Sequence, residues 1–194
     1  MQPKKIGVFG GSFNPPHIAH KIAAEYCRDE LGLDLIIVVP TGNHPLKDSA
    51  DAHHRLAMTR LAFGNDDNFK VSDIEAVNAD EKNYTVDTLQ KLRIATGREA
   101  DLYLLIGADN LIQLPKWKDP GKLFELAKVA VMLRPGSSVS DAEEKYLSES
   151  VTVKIPQLEI SSSEIRRRIA EGRSVKYMID DAVLNYIRKH NLYK

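Results

Sequence analysis

Apolar and polar positions follow two alternating periods along this chain. Ile6–Phe9, Leu35–Val39, Leu102–Ile106 and Val129–Leu133 are short, nearly continuous apolar runs. Runs of that length suit strands covered on both faces. Between them, apolar residues return every three or four positions, the spacing of a helix with one buried face. Ile18, Ile22 and Tyr26, with Ala23, Cys27 and Leu31, predict a helix over Ile18–Leu31. Further helices are expected over His53–Phe63, with Leu56, Ala57 and Leu61 on the apolar face, and over Asn83–Ile94, with Thr85 as N-cap and Val86, Leu89 and Leu92 inward. Asp119–Ala127, Ser161–Glu171 and Asp180–Lys189 complete the helices, and Phe69–Ser72 and Val151–Ile155 add short strands. Pro40 ends the second run. Thr41–Ala52, with Gly42 and Pro45, reads as a loop, and Ser137–Ser150 as a mobile polar surface segment.

Strands joined by helices imply right-handed crossovers and a parallel sheet. The expected fold is α/β: a Rossmann-like doubly wound parallel sheet with helices on both faces and a helical C-terminal segment. No internal repeat or long linker divides the chain, so residues 1–194 are expected to form a single domain. In such sheets ligands bind beyond the carboxyl ends of the strands. Segments 10–20, 107–110 and 134–136 each follow a strand, and are expected on that one rim.

Charge narrows the field of partners. Lys+Arg and Asp+Glu both total 27 in 194 residues, so nothing favours non-specific nucleic-acid binding. Cys27 is the single cysteine, which excludes intrachain disulfides and cysteine-rich zinc sites. No apolar run approaches the ~20 residues that span a bilayer. A cytoplasmic protein without membrane or nucleic-acid partners is expected.

The densest chemistry lies in Gly10-Gly11-Ser12-Phe13-Asn14-Pro15-Pro16-His17-Ile18-Ala19-His20. Two glycines close the first strand, and two histidines three residues apart open the first helix. Unpaired N–H groups and the positive end of a helix dipole favour an anion there. The glycine spacing matches neither G-x-G-x-x-G nor G-x-x-x-x-G-K-[ST], which argues against a dehydrogenase or a P-loop hydrolase. A metal-binding histidine pair is a rival reading, without a third ligand at motif spacing. The second constellation is Ser161-Ser162-Ser163-Glu164-Ile165-Arg166. Ser161 and Glu164 make a capping box. The other serines and the arginine suit the grip of a phosphate chain.

Together these segments resemble the two signatures of the nucleotidyltransferase superfamily, whose members transfer a nucleoside monophosphate from a nucleoside triphosphate and release pyrophosphate. Tyr84–Leu89, Ile106–Asn110, Leu114–Trp117, Arg134–Gly136 and the terminal Tyr186-Ile187 and Leu192-Tyr193 make the chain most similar to bacterial nicotinate mononucleotide adenylyltransferases. The resemblance implies ATP and nicotinate mononucleotide as substrates and Mg2+ carried mainly on the ATP phosphates. It implies catalytic roles for His17 and His20 against those phosphates. Gly10, Gly11, Ser12 and Phe13 would border the same nucleotide, Gly107 and Asp109 the sugars, and Ser162, Ser163 and Arg166 the departing phosphates. Trp117 would stack on the pyridine ring, with Thr85 near its carboxylate and Lys47 and Arg134 at the mononucleotide phosphate. Relatives are often dimers, so a homo-oligomer is allowed. Ala19, Asn14, Ser163, His44 and Lys118 depart from the usual family residues. A nicotinamide-specific or dual-specificity enzyme, and an inactive nucleotide sensor, are the alternative readings.

Overall fold

The computed structural model describes residues 5–42, 50–77, 82–97 and 99–194. Six strands alternate with eight helices among these residues: β1 (Lys5–Gly11), α1 (Ile18–Leu31), β2 (Leu35–Pro40), α2 (Ala52–Phe63), β3 (Phe69–Val71), α3 (Thr85–Thr96), β4 (Asp101–Gly107), α4 (Ala108–Gln113), α5 (Pro120–Leu126), β5 (Lys128–Leu133), α6 (Glu144–Ser148), β6 (Val151–Lys154), α7 (Ser162–Ala170) and α8 (Asp181–Lys189). A 3₁₀ turn, Leu114–Lys116, follows α4. The strands form one parallel sheet in the order β3-β2-β1-β4-β5-β6. That is the doubly wound Rossmann order, which reverses between β1 and β4. Register pairs Phe9 with Leu105, so Gly10 and Gly107 stand at the carboxyl ends of adjacent strands. Among the described residues, no helix is long and apolar enough to cross a membrane.

Two compact units can be distinguished. The first is drawn from Met1–Gly10, Ala23–Ile37 and Asn83–Gln157, the second from Gly11–Ile22, Val38–Lys82 and Leu158–Lys194.

The first unit is built around the aliphatic runs of β4 and β5, whose central residues are buried. Close packing explains Gly7: a Cβ there would lie 2.9 Å from Leu33 and 3.1 Å from Ile36. Cys27 is fully buried, which pushes its thiol pKa up to about 12. The Arg93 guanidinium donates to the carbonyls of Ala100 and Leu126, tying α3 to the end of α5. Two expectations need correction here. Thr85 is the first helical residue of α3 and Tyr84 takes the N-cap position, because the backbone turns helical one residue earlier than a Thr85 cap requires. Ser137–Ser150 is not all loop: it contains α6, whose Tyr146 is 7% exposed and stacks on Phe124 at 5.6 Å. One aromatic ring in a polar run is enough to anchor a short helix.

In the second unit, Phe13, Met58, Phe63, Ile165, Val183 and Ile187 are buried, with the Phe63 ring packed against Phe13 and Phe69. The face of α2 differs from the expected one. Leu61 is 37% exposed, and the buried positions are Ala52, Arg55, Met58, Thr59, Ala62 and Phe63. Helical spacing is kept, but the face turns inward around a charged residue that has carbonyl partners.

Candidate active site

In the second unit the chain leaves β1 through a turn held from several sides. Phe13 has φ +45, a left-handed conformation uncommon for a bulky side chain, and its ring is fully buried. The Gly11 carbonyl accepts from the Thr41 N–H at 2.9 Å. The Ser12 carbonyl accepts from Arg55 at 3.0 Å, the Asn14 carbonyl from Arg166 at 2.8 Å and the Pro15 carbonyl from the Ser162 hydroxyl at 2.8 Å. The Asn14 side-chain oxygen accepts from the Tyr193 hydroxyl at 2.6 Å and from the Ala50 N–H at 3.2 Å. Burial pushes the Tyr193 phenol pKa upward, against the lowering pull of Arg166 and Arg55, so it stays a donor.

The two histidines meet where this turn enters α1. His17 is 6% exposed, and its ring stacks on His20 at 3.6 Å. The His17 N–H donates to His20 Nδ1 at 3.2 Å. An Nδ1 that accepts carries no proton, so the neutral His20 ring holds its proton on Nε2 and can donate from there. The edge of the Phe13 ring against His20, at 5.1 Å, further defines the ring's position. The Ile18 N–H, at the start of α1, is occupied by the Met178 carbonyl, and Lys21 pairs with Asp180 at 3.2 Å.

The serine–arginine helix start adjoins the same turn. Ser161 caps α7 by accepting from the Glu164 N–H, but the Glu164 carboxylate pairs with Arg167 and does not close the other half of the capping box. Ser162 is thus free of capping duty and reaches Pro15. Ser163 accepts from Arg166 at 3.3 Å, and both line a cavity of about 530 Å³ with Ala50, Arg167 and Tyr193. The structure therefore joins His17, His20, Ser12, Phe13, Ser162, Ser163 and Arg166 in one unit. Sequence reasoning missed Arg55 and the Asn14–Tyr193 bond. The traceable signal for Arg55 was a charge at a position spaced with Met58, Thr59 and Ala62 along one face.

In the first unit, a Cβ at Gly10 or Gly107 would meet no heavy atom of the described residues within 4 Å, so their packing demands glycine at neither. Asp109 is exposed in the first turn of α4, and Gly107 holds the N-cap position. Half-buried Trp117 follows the 3₁₀ turn and lines a cavity of about 280 Å³ with Asn83, Tyr84, Thr85, Lys116 and Lys118. Lys118 pairs with Asp87 at 2.9 Å and lies over the Tyr84 ring at 4.7 Å. The hydrogen bond to Asp87, chiefly, holds its ammonium pKa above the usual value. Arg134 opens a type II turn, with Pro135 next, Gly136 at φ +81 and a Ser137 N–H bond back to the Arg134 carbonyl. Lys47 and His44 lie outside the described residues.

A parallel sheet of this order, with a glycine–histidine turn at its first strand, defines a nucleotidyltransferase-type protein. The chain belongs to the cytidylyltransferase-like family, whose pattern matches residues 8–168. Among its relatives, a probable nicotinate-nucleotide adenylyltransferase of Roseiflexus sp. (strain RS-1) is 38% identical, with the whole of both chains covered. One of the same description from Chromobacterium violaceum is 39% identical over 98% of this chain and 99% of its own. The fold matches that of Plasmodium falciparum nicotinic acid mononucleotide adenylyltransferase complexed with NaAD, with TM-score 0.80 at 24% identity, covering 98% and 97% of the two chains. A putative nicotinate-nucleotide adenylyltransferase from Vibrio parahaemolyticus gives TM-score 0.68 at 23% identity, with 98% and 95% covered.

Proposed function

We propose that this chain transfers the adenylyl group of ATP to nicotinate mononucleotide, forming deamido-NAD and releasing pyrophosphate in NAD biosynthesis. The observation that carries the reading is the junction of the two signatures: Ser162 and Arg166 bind the very turn that leads into the stacked histidine pair. A glycine turn alone would suit many ligands. A turn coupled to paired imidazoles, hydroxyls and a guanidinium suits cleavage of a triphosphate.

In the reaction, an oxygen of the mononucleotide phosphate attacks the α-phosphorus of ATP in line. The bond from that phosphorus to the α–β bridging oxygen breaks, and the electron pair leaves with pyrophosphate. The attacking phosphate is already anionic near neutral pH, so the chain needs no nucleophile or general base. Its residues position and stabilise charge. His20 donates from Nε2 to the α-phosphate as negative charge builds, and His17 holds the His20 ring through its N–H and its stacked face. Ser162, Ser163 and Arg166 receive the β- and γ-phosphates. Arg166 keeps one arm on the Asn14 carbonyl, so charge stabilisation and the shape of the turn are linked. ATP enters as its magnesium complex, and the cation, keeping several waters, belongs to the substrate; the donor set of the turn, imidazole, hydroxyl and guanidinium, favours phosphate over a hard cation. In the first unit, Gly107 and Asp109 take the sugars, Trp117 the pyridine ring, Thr85 its carboxylate and Arg134 the mononucleotide phosphate; Lys47, outside the described residues, is assigned to the same phosphate. The single cysteine, buried as a thiol, suits a reducing cytoplasm.

Pyrophosphate release from ATP, measured with nicotinate and then nicotinamide mononucleotide, tests the reading. Turnover with the acid well above that with the amide is expected. Equal turnover would make the enzyme dual-specific, and none with either would leave a nucleotide sensor.

A further inference from the structure

We infer that Arg55 is a positioning residue for this reaction, setting the two peptide planes, Gly11–Ser12 and Ser12–Phe13, whose N–H groups would be donors to the nucleotide in the reading above. The inference rests on the adenylyl-transfer reading above and assigns a residue to it that carries no part of either signature.

Arg55 sits on the inward face of α2 and is 1% exposed. Its guanidinium is consumed by backbone. Nε donates to the Ala50 carbonyl at 3.0 Å, and Nη1 to the carbonyls of Ser12 at 3.0 Å and Thr41 at 2.7 Å and to the Thr41 hydroxyl at 3.2 Å. Nη2 donates to the Gly42 carbonyl. No carboxylate among the described residues lies within ion-pairing distance of it. Burying the guanidinium is costly: desolvation lowers its pKa against the raising pull of Tyr193, Asp51 and Glu75, and an apolar side chain of similar length would fill the same space. What a guanidinium adds is a rigid fork of donors able to hold several carbonyls in fixed directions.

Those directions matter because of peptide geometry. Across a trans peptide the C=O and the following N–H point opposite ways. Holding the Ser12 carbonyl therefore aims the Phe13 N–H. The Gly11 carbonyl is held by the Thr41 N–H, and Thr41 is itself held by Arg55 through its own carbonyl. This second plane aims the Ser12 N–H. Both donors are referenced to one side chain. The turn needs such a tie, since Phe13 adopts φ +45, a conformation that persists only where surroundings impose it. Arg55 also holds Gly42 and Ala50, which flank segment 43–49 on either side, and that segment contains Lys47, proposed above for the acceptor phosphate.

Arg55→Lys keeps the charge and loses the fork. Its kcat for pyrophosphate release is expected to fall about 30-fold per folded molecule, with KM for ATP within about threefold, because misaimed donors matter most where charge develops. In Arg55→Ala, millimolar guanidinium ion should restore at least about a tenth of the lost kcat, and urea at the same concentration should restore none. A purely structural role predicts lower Tm, unchanged kcat per folded molecule and no selective rescue, and that result overturns the inference. If neither variant folds, Thr41→Val decides, since it leaves the guanidinium in place and removes one acceptor. About threefold lower kcat supports the inference, and wild-type kcat overturns it. Wild type and His20→Ala are run alongside. An inactive wild type defeats the adenylyl-transfer reading and this inference with it, whereas an active wild type with unimpaired Arg55→Lys defeats the inference alone.

Discussion

The turn Gly11–Pro16 is held by side chains as far as 179 residues away in sequence, Tyr193 on Asn14 being the most distant. Trp117, by contrast, is held largely by its own neighbourhood. Its N–H bonds back to the Leu114 carbonyl, and the ion pair beside it, Lys118–Asp87, is about two-fifths exposed on each side. The first region stacks buried polar contacts around a strained backbone; the second presents an aromatic ring and solvated charges on short elements. Such a contrast suits the two tasks proposed. Stabilising charge in a transition state demands donors fixed before the reaction begins. Recognising a planar ring tolerates, and for entry and release benefits from, a less rigid wall.

Perturbing each region should break the comparison in a different kinetic constant. The largest effect is expected from His20→Ala, lowering kcat about 10²–10³-fold with little change in KM for ATP; a change in KM alone would make the histidine a binding group. Trp117→Ala should raise KM for the mononucleotide about tenfold while kcat stays within about threefold. If only Tm moves, the ring is a packing residue. Tyr193→Phe removes one buried donor from Asn14 and should cost about 1 kcal/mol in urea unfolding, with a smaller fall in kcat than His20→Ala.

Acid should distinguish the two units next, because all six histidines belong to the second. His54 bonds to the Tyr186 hydroxyl at 2.9 Å, with His53 and His190 rings beside it. Burial first, then repulsion from those two histidines, lowers its pKa, with Asp51 opposing. A folded pKa below the unfolded one means the folded state binds fewer protons, so stability falls as pH drops through about 6.5. The wild-type Tm should therefore fall further than that of His54→Gln between about pH 7.5 and about pH 5.5. A parallel decline would exclude His54 as the group responsible. Lys118→Ala should show the smallest effect, with Tm left essentially at the wild-type value, as expected of an exposed pair, and KM for the mononucleotide is the constant to watch.

Much of this was legible in the chain. The apolar runs marked β1, β2, β4 and β5, and α1 has the predicted boundaries, Ile18–Leu31. Both signatures could be read, and the structure brings their residues from Gly11 onward together in the second unit. The misreadings share a cause. Leu61 lies on the predicted apolar face and is exposed, while Arg55, a charge that periodicity leaves outside, is buried. Apolar character predicts burial only on average, and a charge goes inward when fixed carbonyls are present to receive it. Those carbonyls, of Ser12, Thr41, Gly42 and Ala50, come from separate segments of chain.

What the sequence determined by itself is whatever depends on near neighbours: strand and helix periods, the capping serine, and the residue types that can meet a phosphate. Only the tertiary structure decided which way those groups point. It set Asn14 and Pro15 carbonyls against Arg166 and Ser162, closed Tyr193 onto Asn14, and made Arg55 the fork beneath the turn. Periodicity is written in local burial, whereas hydrogen-bond direction is settled only when distant segments arrive together.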